Sequence, residues 1–481
     1  MSNNSIYLKR EILYRIVKAF FSDDFEKNTR LIPFDMRPKG AEVPYRCCIY
    51  KERAILKDRV IAGLGFAIED DDETVSLTEY AHRALLRDKP EENLLTVLGA
   101  ACKGCVPKRI YVTDLCQGCV ARTCTSACRF GAVEIVNGKA NIDSSKCRAC
   151  KMCIDACPYN AIVKVAVPCE DHCPVSAIEK NQDGTAKIDF EKCISCGKCV
   201  THCPFGAVHE KSRLIEILKL LKSKAEIALM FAPAIAAEFD CTIGQLKTAI
   251  KKIGFSYVYE VALGADTTII NEAKEFTERM KNGEAFMTTS CCAGYNELIK
   301  KHIPEIKKYE SETKTPLFYT SEIVKSEHPL AVQVFVSPCV AKKQEAKYNE
   351  NIDFVLNSEE LEALIKGLDI NLKDCEEFHD ENEPSNQGRG FPVSGGVAQA
   401  VEFASGFSIC SKIISGINKQ EIKNLKKYAK EGKCEDANLV EVMCCEGGCI
   451  RGNSTISDTK SSVAKIRQIT TRGKNLTTNP D

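Results

Sequence analysis

The sequence predicts a mainly helical stretch over residues 1–100, a small α+β region over 101–210, and an α/β domain with mainly parallel sheet over 211–481. Three observations predict them. Apolar residues recur at helical spacing near the start, a short cysteine unit repeats four times in the middle, and short apolar runs alternate with amphipathic ones through the second half. At 481 residues and 44% hydrophobic content, the chain has length for about three domains with sizeable cores.

In the first region Ile6, Ile12, Leu13, Ile16, Val17, Phe20 and Phe21 fall near one helical face, and a second helix is expected over 77–87. The acidic run Glu69 to Glu73 reads as a solvated loop. Cys47 and Cys48 read as buried structural thiols, because adjacent cysteines rarely serve one metal. This region announces no function.

Lys plus Arg and Asp plus Glu both number 66, so the formal net charge is zero and gives no electrostatic case for nucleic acid or an anionic membrane as partner. The first residues lack the basic, apolar and small-residue order of a secretory signal, and a cytoplasmic location is expected. The most apolar stretch, 227–237, is shorter than the roughly 18 residues a spanning helix needs, and Pro233 interrupts it; no transmembrane segment is expected. In a reducing compartment, 28 cysteines point to metal or redox work rather than disulfides. Runs of three and four cysteines, with only 7 histidines, argue against paired zinc ligands.

The middle region repeats a unit ending in Cys-x-x-x-Ala, at Cys128, Cys157, Cys173 and Cys203. The runs Cys147, Cys150, Cys153, Cys157-Pro and Cys193, Cys196, Cys199, Cys203-Pro both have the spacing that carries four-iron clusters: three thiolates on a tight loop reach three corners of a cube, and the fourth points at a neighbouring one. Cys116, Cys119, Cys124 and Cys128 form a looser unit.

These units resemble ferredoxins. Pairing as in two-cluster ferredoxins implies one cluster on Cys116, Cys119, Cys124 and Cys157, a second on Cys147, Cys150, Cys153 and Cys128, and a third on Cys193, Cys196, Cys199 and Cys173. Cys102, Cys105, Cys169 and Cys203 remain. Either they hold a fourth cluster, Cys102 and Cys105 supplying the two cysteines that the Cys169–Cys173 unit lacks, or some are ordinary thiols and Cys203 serves another cluster. Two to four accessory clusters are expected.

In the third region strands are expected over 227–231, 257–261, 285–288, 332–336 and 440–443, and helices over 242–253, 267–280, 358–368 and 396–403. Three cysteine signatures follow strands: Thr289-Ser290-Cys291-Cys292; Ser337-Pro338-Cys339 with Lys342 and Glu345; and Glu441-Val442-Met443-Cys444-Cys445-Glu446-Gly447-Gly448-Cys449. They are expected to gather where the carboxyl ends of neighbouring strands meet, the usual place for ligands in open α/β sheets.

Together the three signatures resemble those of the FeFe hydrogenases, over about residues 102–460. The resemblance implies an H-cluster, a four-iron cubane on Cys292, Cys339, Cys445 and Cys449 with Cys449 bridging to a two-iron unit that bears CO, cyanide and a dithiolate amine. It makes Cys291 the thiol that exchanges protons with that amine and Lys342 the donor to an iron-bound cyanide. Glu272, Glu275 and Arg279 on one helix, with Ser311, match the family's proton relay; Ala232, Pro233, Met443 and the Ser394–Val397 segment match its cofactor pocket.

The implied activity is reversible oxidation of H2 to protons, with a soluble carrier such as ferredoxin exchanging electrons and maturation proteins supplying the two-iron unit. Ala293, Tyr295, Ser337 and Cys444 depart from the best-known members and resemble the second group, group B. Two other readings share the motifs: a non-catalytic iron-sulfur protein like the hydrogenase-like factors of cluster assembly, and a hydrogen sensor. The first does not require Cys291, Lys342 and the two glutamates; the second lacks an obvious sensory or kinase domain here.

Overall fold

The structure is a computed structural model that describes residues 4–40, 48–87, 92–105, 110–378, 382–471 and 473–477. Cys47 lies outside the described residues.

Among the described residues four helices come first: Asn4–Phe20, Phe25–Met36, Ile49–Gly63 and Leu77–Leu86. The first buries Ile12, Leu13, Ile16, Val17 and Phe20 as its periodicity predicts, whereas Ile6 and Phe21 are largely exposed. Ser76 caps the fourth through the Glu79 amide. The second and third helices are not among those the periodicity picks out, and the second carries Pro33 inside it. The acidic run is not simply solvated, because Glu69 accepts a hydrogen bond from the Val97 amide at 2.8 Å and so pins the strand that follows.

That strand, Leu95–Val97, belongs to the cysteine-rich region, where it pairs antiparallel with Val208–Glu210. The region is two β-α-β-β-α-β units, one nested in the other. The inner unit runs from strand Ile110–Val112 to strand Ile162–Lys164, which pair with each other, and contains the hairpin Val133–Val136 with Lys139–Ile142. The outer unit starts at Leu95–Val97, resumes with the turn Pro168–Asp171, continues through the hairpin Ile178–Lys180 with Ala186–Ile188, and closes on Val208–Glu210.

Backbone conformation explains the repeat. Before the alanine of each Cys-x-x-x-Ala ending stands Gly131, Asn160, Ser176 or Gly206, all with φ between 50° and 59°, a left-handed turn that glycine and short polar residues adopt most cheaply. The turn lets the alanine amide fold back onto the cysteine: Ala132, Ala177 and Ala207 donate to Cys128, Cys173 and Cys203 Sγ at 3.3, 3.2 and 3.3 Å.

Among the described residues the α/β domain holds seven strands: β1 (Ile227–Phe231), β2 (Tyr257–Glu260), β3 (Met287–Thr288), β4 (Val332–Val336), β5 (Phe354–Leu356), β6 (Ser411–Ser415) and β7 (Leu439–Met443). All pair in parallel, but in two sheets, ordered β2-β1-β4-β5 and β3-β7-β6. Helices cover both faces, so β1 and β7 are buried throughout. The expected helices fall at Ile243–Ile253, Ala262–Lys281, Ser358–Gly367 and Gly396–Ser405. One apolar core runs from the N-terminal helices through β1 to Ser358–Gly367.

Candidate metal centre

Cys291 and Cys292 follow β3, and Cys445 follows its hydrogen-bonded neighbour β7, but Cys339 follows β4 in the other sheet. The site therefore lies between two sheets rather than along one row of strand ends. About 920 Å³ of empty space opens there, lined by Cys291, Cys292, Cys339, Cys445, Cys449, Lys342, Ala232, Pro233, Phe391 and Met443.

Local geometry presents the thiols. Cys292 and Cys339 are the N-caps of helices Ala293–His302 and Val340–Ala346, where free amides and the helix dipole favour a thiolate. Gly447 and Gly448 turn the third signature back with φ of 87° and 93°, and a Cβ on Gly448 would lie 2.4 Å from the Pro392 carbonyl oxygen. Cys449 consequently faces the cavity.

The thiols act on one another. A hydrogen bond from Cys444 brings Cys292 down to about 6, against burial. Burial and then Cys292 push Cys339 up to about 11; burial followed by Cys292 and Cys339 pushes Cys449 to about 12; burial followed by Cys339, Cys292 and Cys449 raises Cys445 well above the usual thiol range. Cys292, Cys339, Cys445 and Cys449 stand close enough to act on one another, and a cationic centre such as an iron cube would let them ionise together. Among the described residues no three Cys, His, Asp or Glu side chains close around a single ion; a cube spreads its ligands more widely.

Cys291 is different. Burial and then Glu272 raise its pKa well above the usual value, so it keeps its proton. Lys342 donates to the Cys291 carbonyl oxygen at 3.3 Å and pairs with Glu345. Burial opposes its charge, but Glu345 overcomes that and holds the ammonium above its ordinary range.

Glu272, on helix Ala262–Lys281, is fully buried and its oxygens have no well-aligned hydrogen-bond partner. Burial first, then Glu275 and Glu441, push its carboxyl up to about 8, while the nearby Ser311 hydroxyl and Ser290 amide pull the other way. Glu275 stands oppositely. It accepts from the Ser311 and Thr313 hydroxyls at 2.8 and 2.9 Å and from the Glu312 amide at 2.9 Å, and pairs with Arg279 at 2.8 Å. Burial opposes, but these donors hold it below the usual carboxylate range. The two carboxyls thus flank Ser311, one buried and protonated, one charged toward the surface.

Three of the four departures line the same space, and Tyr295 packs behind it. Tyr295 is fully buried and donates to Thr288 Oγ1 at 3.0 Å; Ala293, Ser337 and Cys444 line the cavity. Sequence reasoning gave no role to Glu441, which accepts from the Gly395 and Ala398 amides at 2.7 and 2.9 Å and so fastens the Ser394–Val397 segment to β7. Its signal was a lone charge inside the apolar run Leu439–Met443.

In the cysteine-rich region the thiols act on one another in groups. Cys119 and Cys157 act on Cys124; Cys147, Cys150 and Cys128 act on Cys153; Cys193 and Cys173 act on Cys196. The inner and outer units bury their cysteines in separate apolar clusters. Cys196 also lines the cavity between the sheets.

Comparison with known proteins agrees. Residues 225–453 match the model of the iron only hydrogenase large subunit, C-terminal domain, and residues 140–163 and 186–209 match the 4Fe-4S binding domain. The periplasmic Fe hydrogenase large subunit of Nitratidesulfovibrio vulgaris is 30% identical over 370 residues, 65% of this chain and 85% of that one. The chain belongs to the iron-only hydrogenase family. Iron hydrogenase 1 of Clostridium pasteurianum is 28% identical over 301 residues, 50% of this chain and 52% of its own, so this chain spans about half of that relative's length. The family's wider kin are also represented: a cytosolic Fe-S cluster assembly factor, NAR1 of Meyerozyma guilliermondii, is 26% identical over 184 residues, 33% of this chain and 35% of that one. Among the described residues no helix is long and apolar enough to cross a membrane.

Proposed function

We propose that this family member is a ferredoxin-dependent FeFe hydrogenase that interconverts H2 with protons and electrons. In this reading Cys292, Cys339, Cys445 and Cys449 hold an H-cluster. The group supplies an open iron that polarises dihydrogen and a dithiolate amine that takes up the proton. Lys342, fixed by Glu345, donates toward the cavity as a compact cation suited to an anionic iron ligand. Cys291 holds a proton at Sγ on the cavity wall and passes it toward Glu272; Ser311 relays to Glu275, and Arg279 marks the surface end.

The observation that carries this reading is the carboxyl pair about Ser311. Glu272 is buried without an ion pair, an arrangement that costs stability and is typical of a group kept for its protonation chemistry. A cluster-assembly role would not call for a buried proton carrier. Electrons pass through the accessory clusters, of which the set on Cys193, Cys196, Cys199 and Cys173 lies closest to the cavity, since Cys196 lines it.

Infrared spectra of the protein matured with the two-iron unit test the proposal. CO and cyanide bands are expected, together with H2-dependent electron transfer to ferredoxin. Cys291→Ala should keep the bands and lose turnover by at least about 10²-fold, the typical weight of a positioned proton-transfer group. Absence of the bands refutes the hydrogenase reading in favour of an assembly role, and full activity in Cys291→Ala removes that thiol from the proton path.

A further inference from the structure

The nested topology divides one ligand set across the inserted unit. Cys102 and Cys105 precede that unit and Cys169 follows it, yet the fold returns them to one place with Cys203. The Leu98 amide donates to the Ala207 carbonyl at 2.7 Å, which lays the segment bearing Cys102 against the strand that follows Cys203. Cys102, Cys169 and Cys203 share one buried cluster. Cys102 Sγ accepts from the Ala186 amide at 3.1 Å and from Lys180 Nζ at 3.3 Å, and Cys203 Sγ accepts from the Ala207 amide at 3.3 Å. Gly104 lies against the Phe205 ring, where a Cβ would come within 2.6 Å, so the loop carrying Cys105 is pressed onto the turn after Cys203.

We propose that Cys102, Cys105, Cys169 and Cys203 hold a fourth accessory four-iron cluster, at the neck where the inserted unit joins the outer one. The inference rests on reading the region as iron-sulfur protein and does not depend on hydrogenase activity. Cys203, Cys102 and Cys105 all lie near enough to Cys169 to act on it electrostatically. Cys169 also acts on Cys199 of the set nearest the cavity. The neck is braced by Lys164, the last residue of the inserted unit, paired with Asp171 at 3.3 Å. The cluster stands in series between the pair in the inserted unit and the set on Cys193, Cys196, Cys199 and Cys173, and the Lys180 ammonium at Cys102 favours its reduced, more negative form.

The test uses the full chain, purified without oxygen from cells lacking the two-iron maturation proteins and reconstituted with iron and sulfide. Five cubanes give about 20 irons per chain. Cys105→Ala and Cys169→Ala should each lose about 4 irons and 4 sulfides, with one fewer signal in the electron paramagnetic resonance of the reduced protein; Cys410→Ala, outside every set, should lose none. Lys180→Gln should keep all the iron and lower the midpoint potential of one cluster. A count of about 16 irons in the unmutated protein, or unchanged iron in both cysteine variants, overturns the fourth site. Because Cys105 is partly exposed, its variant and the unmutated count decide the matter even if Cys169→Ala does not fold.

Discussion

At the scale of single residues, two neighbours with one chemistry have opposite states. Cys292 caps a helix and accepts from Cys444, which brings it to about 6, whereas Cys291, one residue earlier, is buried against Glu272 and stays protonated. The same contrast recurs in the carboxyls. Glu272, pushed to about 8 from an ordinary 4.5, binds a proton in the folded protein over a pH range in which the unfolded chain has released it. Between those values the folded state holds more protons, so its stability falls as pH rises from about 4.5 to about 8. Glu272→Gln removes this contribution. Melting temperatures at pH 5.5 and pH 8 are expected to drop less in the variant than in the unmutated protein; an equal drop in both would show that Glu272 ionises normally.

At the scale of elements, each signature is a strand, a turn and a helix or helical turn, and the turn fixes the chemistry. In the third signature Gly448 has φ of 93° and sits where a Cβ would meet the Pro392 carbonyl at 2.4 Å. Gly448→Ala is therefore strained by ~1–3 kcal/mol from backbone alone and must move Cys449 or the 392–397 segment. The expected result is a lower melting temperature and loss of the cavity iron, with the signals of the cysteine-rich region retained; unaltered iron would mean that the loop absorbs the methyl. Such turns were legible in the sequence because cysteine and glycine spacing is local. Pairing between distant segments was not. Nothing near Leu95–Val97 says that it will pair with Val208–Glu210 across an inserted unit, and nothing near Cys339 says that its strand lies in a different sheet from β3 and β7. Helix Phe25–Met36 holds Pro33 against the local rule because packing of Phe25, Thr29 and Ile32 supplies the stability.

At the scale of the whole molecule, the N-terminal helices are welded to the α/β domain. Helix Asn4–Phe20 lies on Ser358–Gly367, with Lys9 and Arg10 paired to Glu359 and Glu362 and Val17 packed so closely on Gly367 that a Cβ there would lie 2.4 Å away. Ile12, Ile16 and Val17 belong to the same apolar cluster as Leu229 and Phe231 of β1, the strand that leads into Ala232 and Pro233 at the cavity wall. Stability of the helices and integrity of the metal centre are thus one cooperative property rather than two. Ile16, fully buried, tests this when cut to alanine: loss of transfer energy plus the cavity left behind costs ~2–5 kcal/mol. Helix loss followed by circular dichroism and cluster loss followed by visible absorbance should move to lower temperature together in Ile16→Ala. If the helical signal alone moves while the cavity chromophore melts where it did before, the N-terminal helices unfold independently and the shared core does not couple them to the site.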